Sequence, residues 1–525
     1  MYRIILLYLL IFKCCFISYG QNFNLSWGEL ERSPGSLLEI LPRNNSDFYS
    51  LRWSGGRALG TYRIVDHENL SIVTQTRIKQ VAQSGIANFE TAIFLNNQLY
   101  IFLSDKSDGY MMLYAQPYDR ELNINEESIL IASYANSKIS AKPNFSILTS
   151  DNRNFLGVVW EIPGKKSISD SYGYVVMDSD MNEIQNGEYS VPFEGNMSTI
   201  NEHHISNMGD YFISVTEHNK PNNRLFSRSF ENFKALHVYK LRSNELHEFS
   251  IDLESKRIDD IKMSSNNNNL FTLSGIYGTG RNKNIEGVFV LSFDADADSV
   301  VYNGFMPFDI QLIQNTRVNR SFRDRSNARN RKRNNELYSY KIRDIFTLDD
   351  GTLCGSIEQY YIFERSSYDS RTGVSSTVYY YYYDDIIAFK IGNNGNFDWQ
   401  VKIPKSQVSM NDGGPFSSYS SFTDGKNLYF IFNDNLKNYD EMGSYSRKNN
   451  SCYSFNLSRR KNVAAIVEVD IEHGTTNRKT LFSRKELKSI VVPKMFKLDV
   501  LNEELLLFAI MKGKERFGIL NYTRQ

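Results

Sequence analysis

Short apolar runs recur along this chain and are separated by turns rich in Asn, Asp and Gly. In Phe94–Phe102, two strand-like runs flank the pair Asn96-Asn97. The same plan recurs in Phe346–Leu353, Phe422–Phe432 and Leu498–Leu506. Asn-rich and Asp-Gly pairs tolerate the positive φ angles that tight hairpin turns require. The pattern therefore predicts a succession of antiparallel β-hairpins.

A second hairpin follows most of these turns, as in Tyr110–Tyr114 and Asp385–Phe389, so that each unit holds four strands. The units begin near Phe48, Ala92, Phe145, Tyr211, Ile258, Tyr340, Tyr419 and Met495. Repeated four-stranded units are the plan of a propeller. We predict an all-β fold, a single β-propeller of seven or eight four-stranded blades. The alternative is two smaller β-domains side by side.

The two ends of the chain complement each other. The last unit, which runs to Asn521, lacks a fourth strand, and the opening segment Asn22–Trp27 is a strand without a partner of its own. A terminal strand that completes the blade at the other terminus removes an exposed sheet edge. We therefore predict that the N-terminal and C-terminal strands pair and close the propeller.

The first residues have the order of a secretion signal: Arg3, the apolar run Ile4–Phe12, then Ser18-Tyr19-Gly20. The apolar run is shorter than the roughly 20 residues that span a bilayer, although an uncleaved anchor is the alternative. We predict a signal peptide over residues 1–20 and a propeller over residues 21–525, with no transmembrane segment after signal removal. The protein is expected to be exported, either periplasmic or secreted.

Two polar insertions, residues 314–336 and 435–461, are predicted to be surface loops. The first carries a cluster of arginines that includes Arg323, Arg325, Arg331 and Arg333. Clustered guanidinium groups can bind phosphate or acidic glycans through paired hydrogen bonds. Runs of one charge sign are more often solvated loops, so an anion-binding loop and a plain surface loop both remain open.

The charge balance argues against nucleic acid as a partner. The chain has 60 basic and 60 acidic residues, so no net field attracts nucleic acid and none is expected as a partner. Aromatic residues make up 14% of the chain, which suits half-buried β-strands.

Outside the signal only Cys354 and Cys452 occur. They could pair in an exported protein, or Cys354 could be a buried thiol in its apolar strand.

No pattern predicts a metal or a cofactor. Asp294, Asp296 and Asp298 alternate like the start of a calcium loop, but Ser299 and Phe305 stand where such a loop needs Gly and Glu. The histidines lack the spacing of a zinc hydrolase. Neither a nucleophile elbow nor a phosphate-binding glycine loop is present in the sequence.

Five consecutive tyrosines, Tyr379–Tyr383, stand out. In a strand they alternate between two faces, and the outward rings could stack on a sugar. The more common arrangement is a cross-strand aromatic ladder, here against Tyr360, Tyr361 and Phe363.

Residues 340–435 resemble a segment of uncharacterised exported β-propeller proteins of Bacteroidota. The resemblance rests on Asp385–Ile391, Gly395–Trp399, Ile403–Gln407, Gly413-Gly414, Ser417–Tyr419 and Phe432–Asn435. It implies a fold rather than an activity. The hairpin that ends at Trp399 is also similar to quinoprotein propeller repeats, but only one unit carries it, so no quinone is expected.

The preferred hypothesis is an exported cell-envelope propeller that acts as a binding or scaffold protein, with an envelope protein or a glycan as partner. The predicted ligand-binding rim comprises Lys405, Gln407, Asp412, Asn433 and Asp434, in and beside a polar connector with glycines. The alternative is a polysaccharide hydrolase or lyase with carboxylates paired across the axis. A purely structural element of an envelope complex is a third reading.

Overall fold

The structure is a computed structural model that describes residues 23–523, except 44–45, 56–59, 83–84, 125, 137–141, 164–168, 195, 222–231, 243–244, 250, 252, 254–255, 280–283, 315–336, 370, 372 and 448–451. The predicted signal peptide and the four arginines of the first insertion lie outside the described residues. Within the described part of the chain, no helix is long and apolar enough to cross a membrane.

The first half of the chain begins with β1 (Asn24–Trp27) and β2 (Glu31–Arg32) and then forms four sheets. The first sheet contains β3 (Ser36–Pro42), β4 (Phe48–Ser54), β5 (Thr61–Glu68) and β6 (Ser71–Arg77), and a small hairpin follows, β7 (Val81–Ala82) with β8 (Gly85–Ile86). The second contains β9 (Asn88–Leu95), β10 (Gln98–Ser107), β11 (Tyr110–Tyr118) and β12 (Ile129–Ala135). The third contains β13 (Phe145–Thr149), β14 (Phe155–Ile162), β15 (Ser171–Asp178) and β16 (Glu183–Ser190). The fourth contains β17 (Ser198–Ile205), β18 (Tyr211–His218), β19 (Phe233–Arg242) and β20 (Glu245–Phe249).

The second half forms four more sheets. The fifth contains β21 (Arg257–Ser265), β22 (Leu270–Gly278), β24 (Gly287–Asp294) and β25 (Ser299–Pro307), while β23 (Asn284–Ile285) pairs with β26 (Leu337–Tyr338), and α1 (Ile310–Gln314) follows β25. The sixth contains β27 (Tyr340–Thr347), β28 (Leu353–Asp369), β29 (Val374–Ile391) and β30 (Phe397–Ile403), with β31 (Gln407–Met410) added to β29. The seventh contains β32 (Ser420–Thr423), β33 (Asn427–Asn435), β34 (Asn462–Asp470) and β35 (Thr476–Ser483), and α2 (Arg484–Leu487) follows it. The eighth contains β36 (Ile490–Val491), β37 (Lys497–Asp499), β38 (Glu504–Met511) and β39 (Lys514–Asn521), and β1 joins its outer edge.

Each sheet packs face to face on the next through buried apolar side chains. Phe102 and Leu113 of the second sheet share a cluster with Leu156 of the third, and similar clusters join every successive pair up to the seventh and eighth. A further cluster joins the eighth sheet to the first through Phe508 and Phe48. First strands of neighbouring sheets also touch, which places them innermost. The predicted all-β propeller of four-stranded blades is confirmed, and the described residues form eight blade sheets besides the two small two-stranded pairs β7–β8 and β23–β26.

The predicted pairing of the chain ends is confirmed. Strand β1 lies antiparallel to β39, with Asn24 opposite Asn521 and Trp27 opposite Gly518. Glycine is required at position 518, because a Cβ atom there would lie 2.6 Å from the Trp27 ring. Since β36 and β37 both pair with β38 and share the inner position, the terminal strand completes the eighth sheet in the fourth position.

A buried ion pair ties the eighth sheet to the first. The Arg52 guanidinium lies 2.6 Å from one Glu515 carboxylate oxygen and 2.9 Å from the other. The side chains are 0% and 4% exposed, so the charges are almost fully desolvated. Arg52 also donates to Ser50 Oγ at 2.9 Å. Sheets that are farthest apart in sequence are thus held by a directional contact as well as by apolar packing.

Two unit boundaries differ from the prediction. The first and fourth sheets begin one strand earlier than expected, with Ser36–Pro42 before Phe48 and Ser198–Ile205 before Tyr211. Ser198–Ile205 has only one fully buried residue, so its hydrophobic pattern is weak, whereas Ser36–Pro42 is mostly apolar and ends in three buried residues. The second insertion carries a short 3₁₀ turn, Leu436–Asn438, and a second 3₁₀ turn, Pro493–Met495, lies in the eighth sheet.

Candidate functional site

Three of the predicted rim residues lie in the interior. Lys405 is fully buried, and its Nζ donates to Glu358 Oε1 at 2.7 Å. Gln407 donates from Nε2 to the Asn433 carbonyl at 2.8 Å. Asn433 in turn donates from Nδ2 to the carbonyls of Phe416 and Val491. Their polar atoms bond to protein groups, so they hold the surrounding loops together, and a direct contact with ligand stays a prediction.

The other two predicted residues, Asp434 and Asp412, lie in different surroundings. The Asp434 carboxylate is buried and accepts hydrogen bonds from Tyr439 Oη at 2.6 Å and from Arg478. It thereby anchors the second insertion to the seventh sheet. Asp412 is exposed, and its Oδ1 accepts the Gly414 N–H at 2.9 Å within a turn. The structure does not bring Asp412 and Asp434 together, and ligand binding by either residue stays a prediction.

A network of charges underlies this region. Arg343 donates to Glu358 Oε2 from Nε at 2.9 Å, and Lys405 holds the other oxygen. Although burial opposes ionisation of Glu358, the adjacent Lys405 and Arg343 keep the pKa of this carboxyl below its ordinary value. Ser418 Oγ also donates to it at 2.9 Å. Glu358 is therefore a buried anion with two cations and a hydroxyl around it.

The network pins the loop that follows β31. Residues Asn411, Gly413, Gly414 and Ser418 all have positive φ angles, between 58° and 71°. Such angles are costly for Asn and Ser and persist when the surroundings fix them. The Ser418 N–H donates to Gln407 Oε1 at 2.7 Å. The loop is thus held in a strained conformation at the face where the inner strands begin, which we call the upper face.

The sixth sheet carries a long projection at the upper face. Strands β28 and β29 have 17 and 18 residues, whereas the second strands of the other sheets have 7 to 10. We call residues 359–384 the tyrosine hairpin. Its rings pair across the strands, with Tyr361 stacked on Tyr382 at 4.6 Å and Tyr360 beside Tyr383 at 4.8 Å. The predicted aromatic ladder is confirmed.

A cavity of about 620 Å³ opens beside this hairpin, over the fourth, fifth and sixth sheets. We call it the upper cavity. Its aromatic side is formed by Tyr340, Tyr360 and Tyr361. The fourth sheet contributes Phe233 together with hydroxyl and amide groups, and Asn201 Nδ2 donates to Thr216 Oγ1 at 3.0 Å. Pockets with flat rings and a few convergent polar groups are the usual form of a small-molecule site.

The charges at the upper cavity are largely compensated. The Arg257 guanidinium holds Asp259 with contacts of 2.8 to 3.0 Å. Asp260 lines the cavity at a bulge in β21, with a positive φ of 50°. Burial raises the pKa of Asp260, and Lys341 and the Ile342 N–H oppose that rise. An acidic group with a raised pKa, in a cavity and on a strained backbone, is a frequent feature of functional sites.

The neighbouring inner strands carry further charged groups. Glu202 of the fourth sheet lies 3.7 Å from Lys262 of the fifth. Burial raises the pKa of Glu202, and Lys262 and the Met263 N–H oppose the rise. Burial also raises the pKa of Asp344, which accepts a hydrogen bond from Ser421 Oγ. Carboxyls on three successive sheets therefore face the axis, and backbone N–H groups of the next sheet help to hold Glu202 and Asp260.

At the opposite end of the axis, hydrogen bonds link different sheets. Arg153, in a turn of the third sheet, donates to the Leu498 carbonyl of the eighth sheet at 3.2 Å. Asn152 donates to the Asn207 carbonyl of the fourth sheet at 2.9 Å, and Asn207 donates to Asn267 of the fifth at 3.0 Å. A smaller cavity of about 160 Å³ lies beside Arg153. The larger opening is the upper cavity.

The cysteines and the alternating aspartates have ordinary structural roles. Cys354 is a buried free thiol, and burial raises its pKa to about 12. It forms no disulfide with Cys452. Asp294 Oδ1 accepts the N–H groups of Asp296 and Ala297, as in an ordinary hairpin turn. Over the described ranges, no group of three His, Cys, Asp or Glu side chains is placed to hold a metal ion.

Sequence reasoning missed the upper cavity. Its polar residues come from strands of three separate sheets, and Asn201 and Asp260 stand at bulges that no local pattern marks. The tyrosine run was the one available signal, because its ladder partners Tyr360 and Tyr361 line the cavity. The predicted rim residues instead stabilise the loop next to this hairpin.

No family model and no curated protein matches the chain. Among solved structures, it is similar to the WD40 domain of SCAP from fission yeast, at 9% identity over 95% of this chain and 94% of that one, with a TM-score of 0.37. It is also similar to the polysaccharide lyase Uly1, at 10% identity over 85% and 92% of the two chains and a TM-score of 0.34. A third similarity is to a eukaryotic initiation factor, at 10% identity over 94% and 92% and a TM-score of 0.35. Similarities this weak carry no information about activity, and the resemblance to exported propeller proteins of Bacteroidota stays a prediction.

Proposed function

We propose that this protein is an exported β-propeller of the cell envelope that binds a glycan in its upper cavity. The observation that carries the proposal is the cavity of about 620 Å³, whose lining combines tyrosine rings and other apolar side chains with hydroxyl and amide groups. Sugars present apolar ring faces and many hydroxyls, so both kinds of lining match them. The signal-like pattern of residues 1–20 supports export.

Charge compensation favours a neutral glycan. Asp259 is engaged by Arg257, and Glu202 lies near Lys262. Asp260 faces the positive field of Lys341. A cavity without a large excess of either sign discriminates poorly between charged ligands, whereas its amides and hydroxyls can pair with sugar hydroxyls.

The test is binding of soluble neutral polysaccharides, measured by affinity electrophoresis and then by calorimetry. Tyr360→Ala removes a ring from the cavity and should weaken binding roughly fivefold to tenfold, because an aromatic contact contributes about 1 kcal/mol beyond area burial. Tyr368→Ala is the matched control, since Tyr368 is 68% exposed on the same hairpin and does not line the cavity. Equal affinities of both variants and wild type, or no binding by wild type, would contradict the proposal.

A second candidate function is cleavage of the same glycan. Asp260 favours it, since this carboxyl lines the cavity at a bulge in β21 and is placed to donate a proton to a leaving group. Glu202, on the adjacent inner strand, would be the second carboxyl that such chemistry uses. Incubation with the bound neutral polysaccharide should then release new reducing ends, and Asp260→Asn should abolish their release while binding persists. Unchanged polysaccharide after long incubation would leave binding as the function.

A further inference from the structure

The tyrosine hairpin continues the wall of the upper cavity into solvent. Tyr360 and Ile362 line the cavity. Residues two apart on a strand share a face, so Glu364 follows Ile362 on that face. Across the ladder, Tyr383, Tyr381 and Tyr379 stand opposite these three positions. Because Tyr361 lines the cavity too, both faces at the base of the hairpin border it, and the face that carries Tyr360 and Ile362 runs outward as one surface.

This outer surface is exposed and partly apolar. Ile362 is 51% exposed and Tyr379 is 41% exposed, and both lie on the face that Tyr360 begins. At about 3.4 Å per residue, the step from Tyr360 to the Glu364–Tyr379 pair spans roughly 14 Å. A surface of that length reaches well beyond a ligand that fills only the cavity.

The hairpin is braced for such a role. On its other face Tyr361 stacks on Tyr382, and β31 pairs with Tyr380–Tyr383. Lys405 Nζ donates to the Tyr383 carbonyl at 3.0 Å. Beyond the braced part, Asn411 Oδ1 accepts the Tyr379 N–H at 2.8 Å. A platform that is already ordered binds without a large entropic cost.

We infer that the tyrosine hairpin extends the upper cavity into an elongated site, so that the preferred ligand is a polymeric neutral glycan rather than a short one. This inference rests on the proposed function. One end of the glycan segment fills the cavity, and the continuing chain lies along Ile362, Tyr381 and Tyr379. Continuity with the cavity wall, and rings that alternate with the Glu364 carboxylate, favour a hydroxyl-rich chain over a protein partner, whose interface would bury a more uniformly apolar core.

The experiment is calorimetric titration of the full chain with neutral glucan ladders, namely cello-, malto- and laminari-oligosaccharides of two to ten sugars. For at least one ladder, wild type should bind chains of six or more sugars roughly fivefold or more tighter than the shortest binder. The double variant Tyr379→Ser/Tyr381→Ser, at two positions that do not line the cavity, should lose that gain while its affinity for the shortest binder is unchanged. Leu130→Ser, at a 53% exposed position of the second sheet, is the matched control and should behave as wild type.

The outcomes separate the two proposals. If no ladder binds, the glycan function itself is wrong. If short chains bind and length adds nothing, or if the double variant keeps the gain, the elongated site is wrong while the cavity stands. If wild type self-associates in light scattering and the double variant does not, the hairpin is a contact between copies of the chain, which also overturns the inference.

Discussion

The ion pair between Arg52 of the first sheet and Glu515 of the eighth allows a direct test of how these sheets are joined. Arg52→Met and Glu515→Leu each remove one partner, and the double variant removes both while keeping similar volumes. The two side chains are 0% and 4% exposed and meet through two short contacts. A single substitution therefore leaves a charge buried without its partner.

The expected magnitudes follow from desolvation. Removal of one partner of a buried pair costs about 3–5 kcal/mol, because the remaining charge keeps its desolvation penalty and loses its compensation. Replacement of both partners by apolar residues is often close to neutral. We therefore expect each single variant to lose about 3–5 kcal/mol and the double variant to lie within about 2 kcal/mol of wild type. The effects are strongly non-additive.

The assay is urea unfolding followed by tryptophan fluorescence, with the free energy of unfolding extracted for all four proteins. Trp27 and Trp53 lie in the eighth and first sheets and report on the unfolding of both sheets. A conservative control, Lys497→Met, breaks the more exposed pair with Glu39 and should cost no more than about 1 kcal/mol. Single variants that cost less than 1 kcal/mol, or additive effects in the double variant, would refute the reasoning.

Two further predictions concern the same junction. His67 is buried beside Phe48, and burial lowers its pKa to about 3. The neutral imidazole therefore stabilises the folded protein. This stabilisation is complete above the unfolded pKa of about 6.5 and is lost as the pH falls toward 3. Between pH 7.5 and 5, wild type should lose about 2 kcal/mol more than His67→Gln in urea unfolding, and equal losses would contradict this. Gly518→Ala should displace Trp27 and lower the unfolding midpoint, because the new Cβ would lie 2.6 Å from the ring. Gly304→Ala, where the nearest atom would lie at 3.7 Å, should leave the midpoint within error, and equal effects of the two variants would count against the pairing of β1.

The repeat of strands and turns could be predicted because it is local. Asp424-Gly425 forms the expected tight turn, with a φ of 93° at the glycine. The inner strands were harder to predict from the sequence. Ser198–Ile205, for example, faces the axis and carries Glu202, His203 and His204 among its apolar residues. A strand with one face toward a polar axis lacks the hydrophobic run that marks a buried strand.

The site could be predicted only in part. The tyrosine run identified the hairpin, but Asn201, Asp260 and Tyr360 are brought together by the packing of three sheets and not by spacing along the chain. Lys405 and Gln407 were chosen because they are polar and lie near glycines. A surface loop and a buried polar network both have this composition, and here the two residues are buried. Only the packed structure distinguishes the two cases, because burial of a polar side chain depends on the partners that satisfy it.

The pairing of the two chain ends is the central claim, and a disulfide tests it most directly. Leu25 lies opposite Leu520. Because the Gly28 N–H donates to the Phe517 carbonyl, and bonded pairs alternate along the ladder, this is a non-hydrogen-bonded pair with the closer side chains. The double variant Leu25→Cys/Leu520→Cys would be made without residues 1–20 and without the two native cysteines.

Mild oxidation should convert this variant almost completely into a monomer with altered mobility on a non-reducing gel, since the bond links residues near both ends of the chain. The control Leu25→Cys/Ile519→Cys is out of register by one residue, which puts the thiols on opposite faces, and it should cross-link poorly. Rapid intramolecular closure of the first pair alone is the result we predict. Cross-links that form only between molecules, or equal closure of both pairs, would contradict the account.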